Sequence, residues 1–210
     1  MLFRSTFRQK PPAPRNDQEN ENKVLFTCDS KPHRHSKAAG LREVPSRPEL
    51  TLEAPLLEDD FYLNLLDWSR HNILAIALRN EAFLWNAASG AIEKIECLPP
   101  GSRITSVRWS GDGDHLAVGT DLNCVQLWDA KSSALLRTMP GHQARVSSLS
   151  WNKFVLSSAG KDTAVLNHDV RTRKHVLSSF CAHSSEVCGL EWSPAGHCLA
   201  SGGNDNLVAL

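Results

Sequence analysis

Gln126-Leu127-Trp128-Asp129 is a short run that ends on a Trp-Asp pair, and Phe83-Leu84-Trp85-Asn86 stands 43 residues before it. His168-Asp169 takes the matching place 40 residues later. A second set of tryptophans is separated by 41, 42 and 41 residues: Trp68, Trp109, Trp151 and Trp192. Two interleaved markers at one period indicate an internal repeat of about forty residues.

This period is typical of the WD-repeat β-propeller, in which each repeat is a four-stranded blade with a Gly-His pair early and a Trp-Asp pair late. Gly141-His142 is such an early pair. The sequence therefore predicts an all-β fold, namely a partial WD-repeat propeller of about 3.7 blades preceded by a disordered arm.

The arm is predicted over residues 1–50, which hold six of the eleven prolines and little periodic apolar spacing. Such a segment cannot bury enough apolar surface to offset its chain entropy. The propeller is predicted over residues 51–210, with its first strand at Leu63–Trp68. Alternation and turn signals divide it into blades at approximately 62–97, 103–138, 142–180 and 183–210.

Composition excludes several classes of function. The formal net charge is zero, with ten Lys and Arg against six Asp and Glu in residues 1–50, so the concentrated basic face of a nucleic-acid-binding protein is missing. The six cysteines show no Cys-x-x-Cys pair, and no apolar run is long enough to span a membrane. We expect an intracellular protein, found in the cytoplasm and the nucleus, that does not bind a membrane, a metal or a cofactor.

Two His/Asp pairs recur with the blade period: His142 with Asp162, and His183 with Asp205. In a propeller each pair can join a serine such as Ser148 in a buried hydrogen-bond network that holds a blade together. The catalytic alternative is a His/Asp pair acting on a serine nucleophile. Because the pair repeats, we favour the architectural interpretation and predict no enzyme activity.

Three polar features are candidates for recognition. Ser201-Gly202-Gly203-Asn204-Asp205 is either a plain hairpin turn, with left-handed backbone at Gly and Asn, or a set of amides that bind an extended peptide. The acidic run Glu58-Asp59-Asp60 is either solvated or pairs with a peptide arginine. Asp67 stands beside Trp68, a predicted core aromatic, and therefore faces a loop or a partner.

Several stretches of this sequence resemble the Fizzy family, the cell-division-cycle-20 type coactivators of the anaphase-promoting complex. The resemblance runs from about Leu52 to the end and leans towards the mitotic type. The stretches that carry it include Asp59-Asp60-Phe61-Tyr62-Leu63-Asn64-Leu65-Leu66-Asp67-Trp68, Leu116-Ala117-Val118-Gly119-Thr120, Ala144-Arg145-Val146, His168-Asp169-Val170-Arg171 and Leu199-Ala200-Ser201-Gly202-Gly203-Asn204-Asp205-Asn206.

The resemblance implies a substrate adaptor that recruits cell-cycle proteins to a ubiquitin ligase through short degrons. In the family a seven-bladed propeller binds KEN-type degrons on its top face and D-box degrons between its first and last blades. By matching motif positions, Asp67, Asn204 and Asn206 fall on the KEN-binding surface and Asp60 falls where the D-box arginine binds. The implied partners are subunits of the anaphase-promoting complex, degron-bearing peptides and spindle-checkpoint proteins.

The sequence departs from the family pattern in its arm and in its number of blades. The ligase-docking C-box, Asp-Arg-Tyr-Ile-Pro in the family, is reduced to Leu41-Arg42-Glu43-Val44-Pro45, which keeps Arg42, an aliphatic residue at Val44, and Pro45. The alternative function is therefore a noncatalytic interaction fragment or decoy that no longer engages the ligase. A ring of fewer than four blades also leaves sheet edges open, for a partner, a second copy or further chain to cover.

Overall fold

The computed structural model describes residues 46–210. Within this part of the chain Leu52–Leu210 form one compact unit, whereas residues 46–51 contain no helix or strand. The regular structure of residues 46–210 is entirely β, which confirms the predicted fold class. No helix in this range is therefore long and apolar enough to cross a membrane.

The strands form four consecutive antiparallel sheets, which we call blades one to four. Each blade is a meander whose strands lie in chain order from the inner to the outer edge. The strands are β1 (Leu66–Trp68), β2 (Ile73–Leu78), β3 (Glu81–Asn86) and β4 (Ile92–Glu96) in blade one; β5 (Ile104–Trp109), β6 (His115–Thr120), β7 (Cys124–Asp129) and β8 (Ala134–Pro140) in blade two; β9 (Val146–Asn152), β10 (Val155–Gly160), β11 (Val165–Asp169) and β12 (Val176–Phe180) in blade three; and β13 (Val187–Trp192), β14 (Leu199–Gly203) and β15 (Val208–Ala209) in blade four.

The first strand is shorter than the predicted Leu63–Trp68, because the backbone before it pairs with the next blade. The Asn64 N–H donates to the Thr105 carbonyl at 3.1 Å, and the Val107 N–H donates to the Asn64 carbonyl at 2.8 Å. Asn64 thereby forms a parallel bridge with Ser106 of β5 rather than extending the pairing with β2.

The turn between the second and third strands of every blade contains one non-glycine residue with a left-handed backbone. These residues are Arg79 (φ 57°), Asn123 (φ 62°), Thr163 (φ 66°) and Asn206 (φ 65°). Asparagine tolerates this conformation better than most residues, which explains its use at two of the four turns. The prediction of left-handed backbone at Gly202, Gly203 and Asn204 was wrong, because none of these three residues has a positive φ. The left-handed residue of this turn is Asn206.

Apolar side chains pack between neighbouring blades rather than within one. Trp109 of blade two packs with residues of blade one such as Leu84, and Trp151 of blade three packs against a cluster that includes Leu127 of blade two. Trp68, predicted to be a core aromatic, is 52% exposed. It has no preceding blade among the described residues, and its indole instead contacts Trp85 edge-on at 6.1 Å.

The inner strands face a common axis. The Asn64 side-chain amide donates to the Ser147 carbonyl of β9 at 2.6 Å and to the Cys188 carbonyl of β13 at 3.4 Å. Arg108 of β5 reaches Glu191 of β13 at 2.7 Å. The segment before blade one therefore contacts blades three and four across the centre, and blade two contacts blade four, which places the inner strands around one axis.

Leu156→Ala tests the packing between blades two and three. Leu156 is fully buried in their shared cluster, so the substitution should lower the free energy of unfolding by about 2–5 kcal/mol. The matched control is Leu177→Ala on the outer strand, where the side chain is 57% exposed and the expected change is within about 0.5 kcal/mol. Urea unfolding measures both, and equal losses would contradict this packing.

Candidate functional site

Asn204 and Asn206 flank Asp205 in the turn between β14 and β15, and both asparagines are exposed. The Asn204 N–H donates to the Glu186 carbonyl at 2.8 Å, and the Asn206 N–H donates to the Gly203 carbonyl at 3.2 Å. Both hydrogen bonds use the backbone, so the two side-chain carboxamides remain available. They lie at the edge of the blades formed by the turns between the second and third strands, at Arg79, Asn123, Thr163 and Asn206, which we call the rim. A carboxamide offers donors and an acceptor, which suits both polar side chains and the main chain of a peptide.

A buried His183/Asp205 pair fixes this turn. The Asp205 carboxylate lies 3.1 Å from His183 Nδ1 and accepts the Ser184 N–H at 2.9 Å, and His183 Nε2 lies 2.8 Å from Ser201 Oγ. The Ser184 N–H, followed by His183, lowers the pKa of Asp205. A Cβ on Gly203 would come within 2.6 Å of His183 Nδ1, so the turn packs closely on the ring only because residue 203 is glycine.

Blade three contains the same arrangement in a longer form. His142 Nδ1 lies 2.9 Å from Asp162, His142 Nε2 lies 2.8 Å from Ser158 Oγ, and Ser158 Oγ lies 2.8 Å from His168 Nε2. His168 Nδ1 lies 2.9 Å from His175 Nδ1. The serine of this network is Ser158 and not Ser148, whose buried hydroxyl has no hydrogen-bond partner among the described residues. Ser148 lies on β9, where it pairs with Ala159 of β10, one strand away from the strand that carries Ser158.

The hydrogen bonds of blade three fix the proton positions. If His142 Nδ1–H donates to Asp162, then Ser158 donates to His142 Nε2 and accepts from His168 Nε2–H. His168 Nδ1 is then an acceptor, and His175 Nδ1–H donates to it. Ser158 and His168 are fully buried, so this serine cannot reach a substrate, which favours the architectural interpretation of the His/Asp pairs.

Asp60 lies in residues 52–65, the segment before blade one, which we call the lead-in segment. Its carboxylate already accepts hydrogen bonds from other residues of the chain. Its Oδ1 accepts the Tyr62 N–H at 3.0 Å, and its Oδ2 lies 3.0 Å from Arg145 Nη1. The Tyr62 N–H makes the largest contribution to lowering the pKa of Asp60, and Arg145 adds to it. Arg145 also binds Glu186 with two hydrogen bonds, at 2.9 and 3.0 Å. Asp60 is thus part of a charged cluster between the lead-in segment and blades three and four.

Asp67 is not beside the rim asparagines. It pairs with Ala75, four residues before the rim turn at Arg79, so it lies roughly 13 Å below the level of that turn. Its Oδ2 accepts the Trp109 N–H at 2.6 Å, and the Trp109 indole donates to the Asp67 carbonyl at 3.2 Å. The structure therefore brings Asn204 and Asn206 together and places Asp67 deeper, as a link between blades one and two.

A cleft of about 990 Å³ between blades two and three was not identified from the sequence. Phe154 and Leu136 are exposed in its lining. Arg171 lies over the Phe154 ring at 4.5 Å, and Arg137 donates to the Val170 carbonyl at 2.8 Å. Arg70, Lys153 and Arg173 add further positive charge. These residues come from different loops and strands, so no local sequence pattern signals that they meet.

The degenerate C-box residues Arg42, Val44 and Pro45 lie outside the described residues.

Comparison with known proteins shows which family this chain resembles. The family model for the anaphase-promoting complex subunit 4 WD40 domain matches residues 66–154, and the model for the WD domain, G-beta repeat, matches residues 174–210. The anaphase-promoting complex subunit cdc20 of Dictyostelium discoideum is 42% identical over 208 residues, which cover 97% of this chain and 42% of that protein. The chain belongs to the Fizzy family of WD-repeat proteins.

A second relative and two solved structures are also similar to this chain. The B-type cell cycle switch protein ccs52A of Medicago truncatula is 48% identical over 82% of this chain and 36% of its own length. The crystal structure of the mitotic checkpoint complex matches with a TM-score of 0.77 and 46% identity over 83% of this chain and 53% of that chain. The RRP9 WD40 repeats, at 24% identity and a TM-score of 0.61, show the fold alone. This chain spans less than half the length of the curated relatives named here.

The His168 network makes blade three sensitive to acid. Burial, reinforced by His175 and His142, lowers the pKa of His168 to about 3, so the folded protein keeps this ring neutral where the unfolded chain protonates it. Its contribution to stability is complete above pH 6.5 and is lost as the pH falls from 6.5 towards 3, with a slope approaching 1.4 kcal/mol per pH unit (about one proton). His168→Gln should be less stable at pH 7 but show a shallower slope in urea unfolding between those pH values.

The control for this measurement is His197→Gln, which alters an exposed histidine. It should keep the wild-type slope. A His168→Gln slope equal to that of the wild type would contradict the proposed origin of the acid sensitivity.

Proposed function

We propose that this chain is a Fizzy-type substrate adaptor, which binds short degrons of cell-cycle proteins and presents them to the anaphase-promoting complex. Family membership supports the adaptor class, and the relatives are regulatory WD-repeat proteins rather than enzymes. The observation that carries the proposal is the Asn204–Asn206 turn, which holds two free carboxamides at an exposed rim. Cytoplasmic and nuclear localisation belongs to the same proposal.

A KEN-type degron presents a lysine, a glutamate and an asparagine, and each of these side chains can hydrogen-bond a carboxamide. The Asp205/His183 pair holds the turn in place before a peptide binds, which reduces the entropy lost on binding. We assign the KEN contacts to Asn204 and Asn206. Asp67 contributes to KEN binding only if the lysine side chain of the peptide extends along the axis of the inner strands. The Asp67 carboxylate lies deeper than Asn204 and Asn206 and already accepts the Trp109 N–H.

A D-box degron presents an arginine, for which Asp60 is the proposed acceptor. Carboxylates bind guanidinium groups through charge-assisted hydrogen bonds, which are stronger than neutral ones. Exposed Phe61 lies beside Asp60 and contacts Tyr62 edge-on at 5.5 Å, so aromatic surface is available next to the acid. This combination of an acid and aromatic rings supports the proposed role of Asp60.

The cleft between blades two and three suits a second peptide segment. Its exposed Phe154 and Leu136 favour an apolar side chain, and its surrounding arginines and lysine favour acidic residues. Spindle-checkpoint proteins are proposed partners, because one solved structure that this chain resembles is the crystal structure of the mitotic checkpoint complex.

Docking on the ligase separates the adaptor from the alternative function. The proposed docking residues are Arg42, Val44 and Pro45 of the degenerate C-box. A chain that binds degron peptides but does not capture the anaphase-promoting complex in a pull-down would be an interaction fragment or decoy. A chain that captures both would be an adaptor.

Asn206→Gly tests the KEN contact without straining the turn, because glycine accepts the left-handed backbone of residue 206. Loss of one carboxamide hydrogen bond should weaken the binding of a synthetic peptide with a single Lys-Glu-Asn motif by about fivefold. Calorimetry or fluorescence anisotropy measures the Kd.

The matched control is Asn123→Gly, at the same left-handed position in the rim turn of blade two. It should leave the Kd unchanged. Equal effects of the two substitutions would refute a specific role of Asn206, and a wild-type chain that does not bind the peptide would refute the KEN proposal.

A further inference from the structure

The Arg145 guanidinium is held by groups of a kind that would bind an arginine from another molecule. Glu186 accepts from Nε and Nη2 at 2.9 and 3.0 Å, and Asp60 accepts from Nη1 at 3.0 Å. The guanidinium carbon lies 5.4 Å from the centre of the Tyr62 ring. A fork–fork contact with one carboxylate, a second carboxylate and an aromatic face together form a complete receptor for a planar cation.

Arg145 is tied to the receptor but is not deeply buried. The exposed fraction of its side chain is 17%, against 30% for Asp60 and 9% for Glu186. Asp60 and Tyr62 come from the segment before β1, whereas Arg145 and Glu186 precede β9 and β13. The receptor is therefore assembled from the lead-in segment and two blades, and among residues 46–210 it is Arg145 that fills it.

We propose that Asp60, Glu186 and Tyr62 form a guanidinium-binding site that the chain's own Arg145 occupies, and that an arginine-bearing peptide must displace Arg145 to bind there. The peptide part of this inference rests on the proposed degron-binding function of Asp60. The self-occupied receptor itself rests only on the contacts of Arg145.

Occupation by Arg145 reduces the affinity for an incoming arginine by the fraction of time that the site is free. It also favours ligands whose arginine is accompanied by further contacts, because a single guanidinium exchanges for an equivalent one without net gain. By competing for the site, Arg145 would thus disfavour the binding of isolated arginines on unrelated proteins.

Chemical rescue tests the receptor in the full chain. Arg145→Ala empties the site and leaves two adjacent carboxylates unpaired, so N-acetyl-arginine amide should raise the Tm of this variant by several degrees more than that of the wild type. N-acetyl-lysine amide, which lacks the planar fork, should raise it less. The matched control is Arg103→Ala, at an exposed arginine that pairs with Glu58, and this variant should show no selective rescue.

Arg145→Lys provides a second variant if Arg145→Ala does not fold, since it keeps the charge but cannot make the bidentate contact with Glu186. It should also be stabilised selectively by N-acetyl-arginine amide. Equal responses of wild type, Arg103→Ala and the folded Arg145 variants to this compound would overturn the proposed receptor.

A binding arm separates this inference from the adaptor function. A synthetic D-box-type peptide with a single arginine should bind an Arg145→Gln chain about tenfold more tightly than the wild type, if Arg145 occupies the site nine-tenths of the time. Rescue without peptide binding would support the self-occupied receptor and refute degron binding at Asp60. Equal peptide affinity of both chains without rescue would overturn the receptor and leave the adaptor function standing.

Discussion

The structure depends on hydrogen bonds that join the inner strand of each blade to the next. Thr105 Oγ1 donates to the Val146 carbonyl at 2.7 Å, and Ser147 Oγ donates to the Val187 carbonyl at 2.7 Å. The Trp109 N–H donates to Asp67, and the Trp192 N–H donates to Ser150 Oγ at 3.2 Å. Each bond spans about one repeat in sequence and contributes about 1 kcal/mol. The repeat period therefore corresponds to the step from one blade to the next around the axis.

These inter-blade bonds explain how residues far apart in sequence form one surface. Because neighbouring blades are held in register, the turns between their second and third strands come to the same rim, and each such turn contains a left-handed residue. In blade four that turn carries Asn204 and Asn206, with Asp205 fixed beneath them by His183. The lead-in segment contacts blades three and four through Asn64 and Asp60. Asp60 shares Arg145 with Glu186, whose carbonyl accepts the Asn204 N–H.

The sequence predicted the blades well. The alternation of apolar and polar residues marks each strand, and the tryptophan period of about forty residues marks each blade. It also predicted the His142/Asp162 and His183/Asp205 pairs, since their spacing within the blade is regular. It missed the partner serine, because choosing Ser158 over Ser148 requires the pairing register of β9 and β10.

Contacts between distant segments could not be predicted from the sequence. Asp67 looks like a recognition residue beside an aromatic, but its role towards Trp109 becomes visible only when blades one and two are adjacent. Arg145 was noted only within a motif, and its contacts with Asp60 and Glu186 join positions 85 and 41 residues away. The cleft between blades two and three has no motif of its own, since its cations come from strand β8 and from several loops, and the motif that contains Arg171 does not indicate that they meet.

Amide hydrogen exchange at the inner strands tests most directly whether neighbouring blades are joined around one axis. In the wild-type chain the Trp109 and Trp192 amides should both be protected. Asp67→Ala should accelerate exchange at Trp109 and leave Trp192 protected, while Asp67→Asn, which keeps an acceptor oxygen, should largely restore the protection of Trp109. Fast exchange at both tryptophans in the wild type, or no effect of Asp67→Ala at Trp109, would contradict the account.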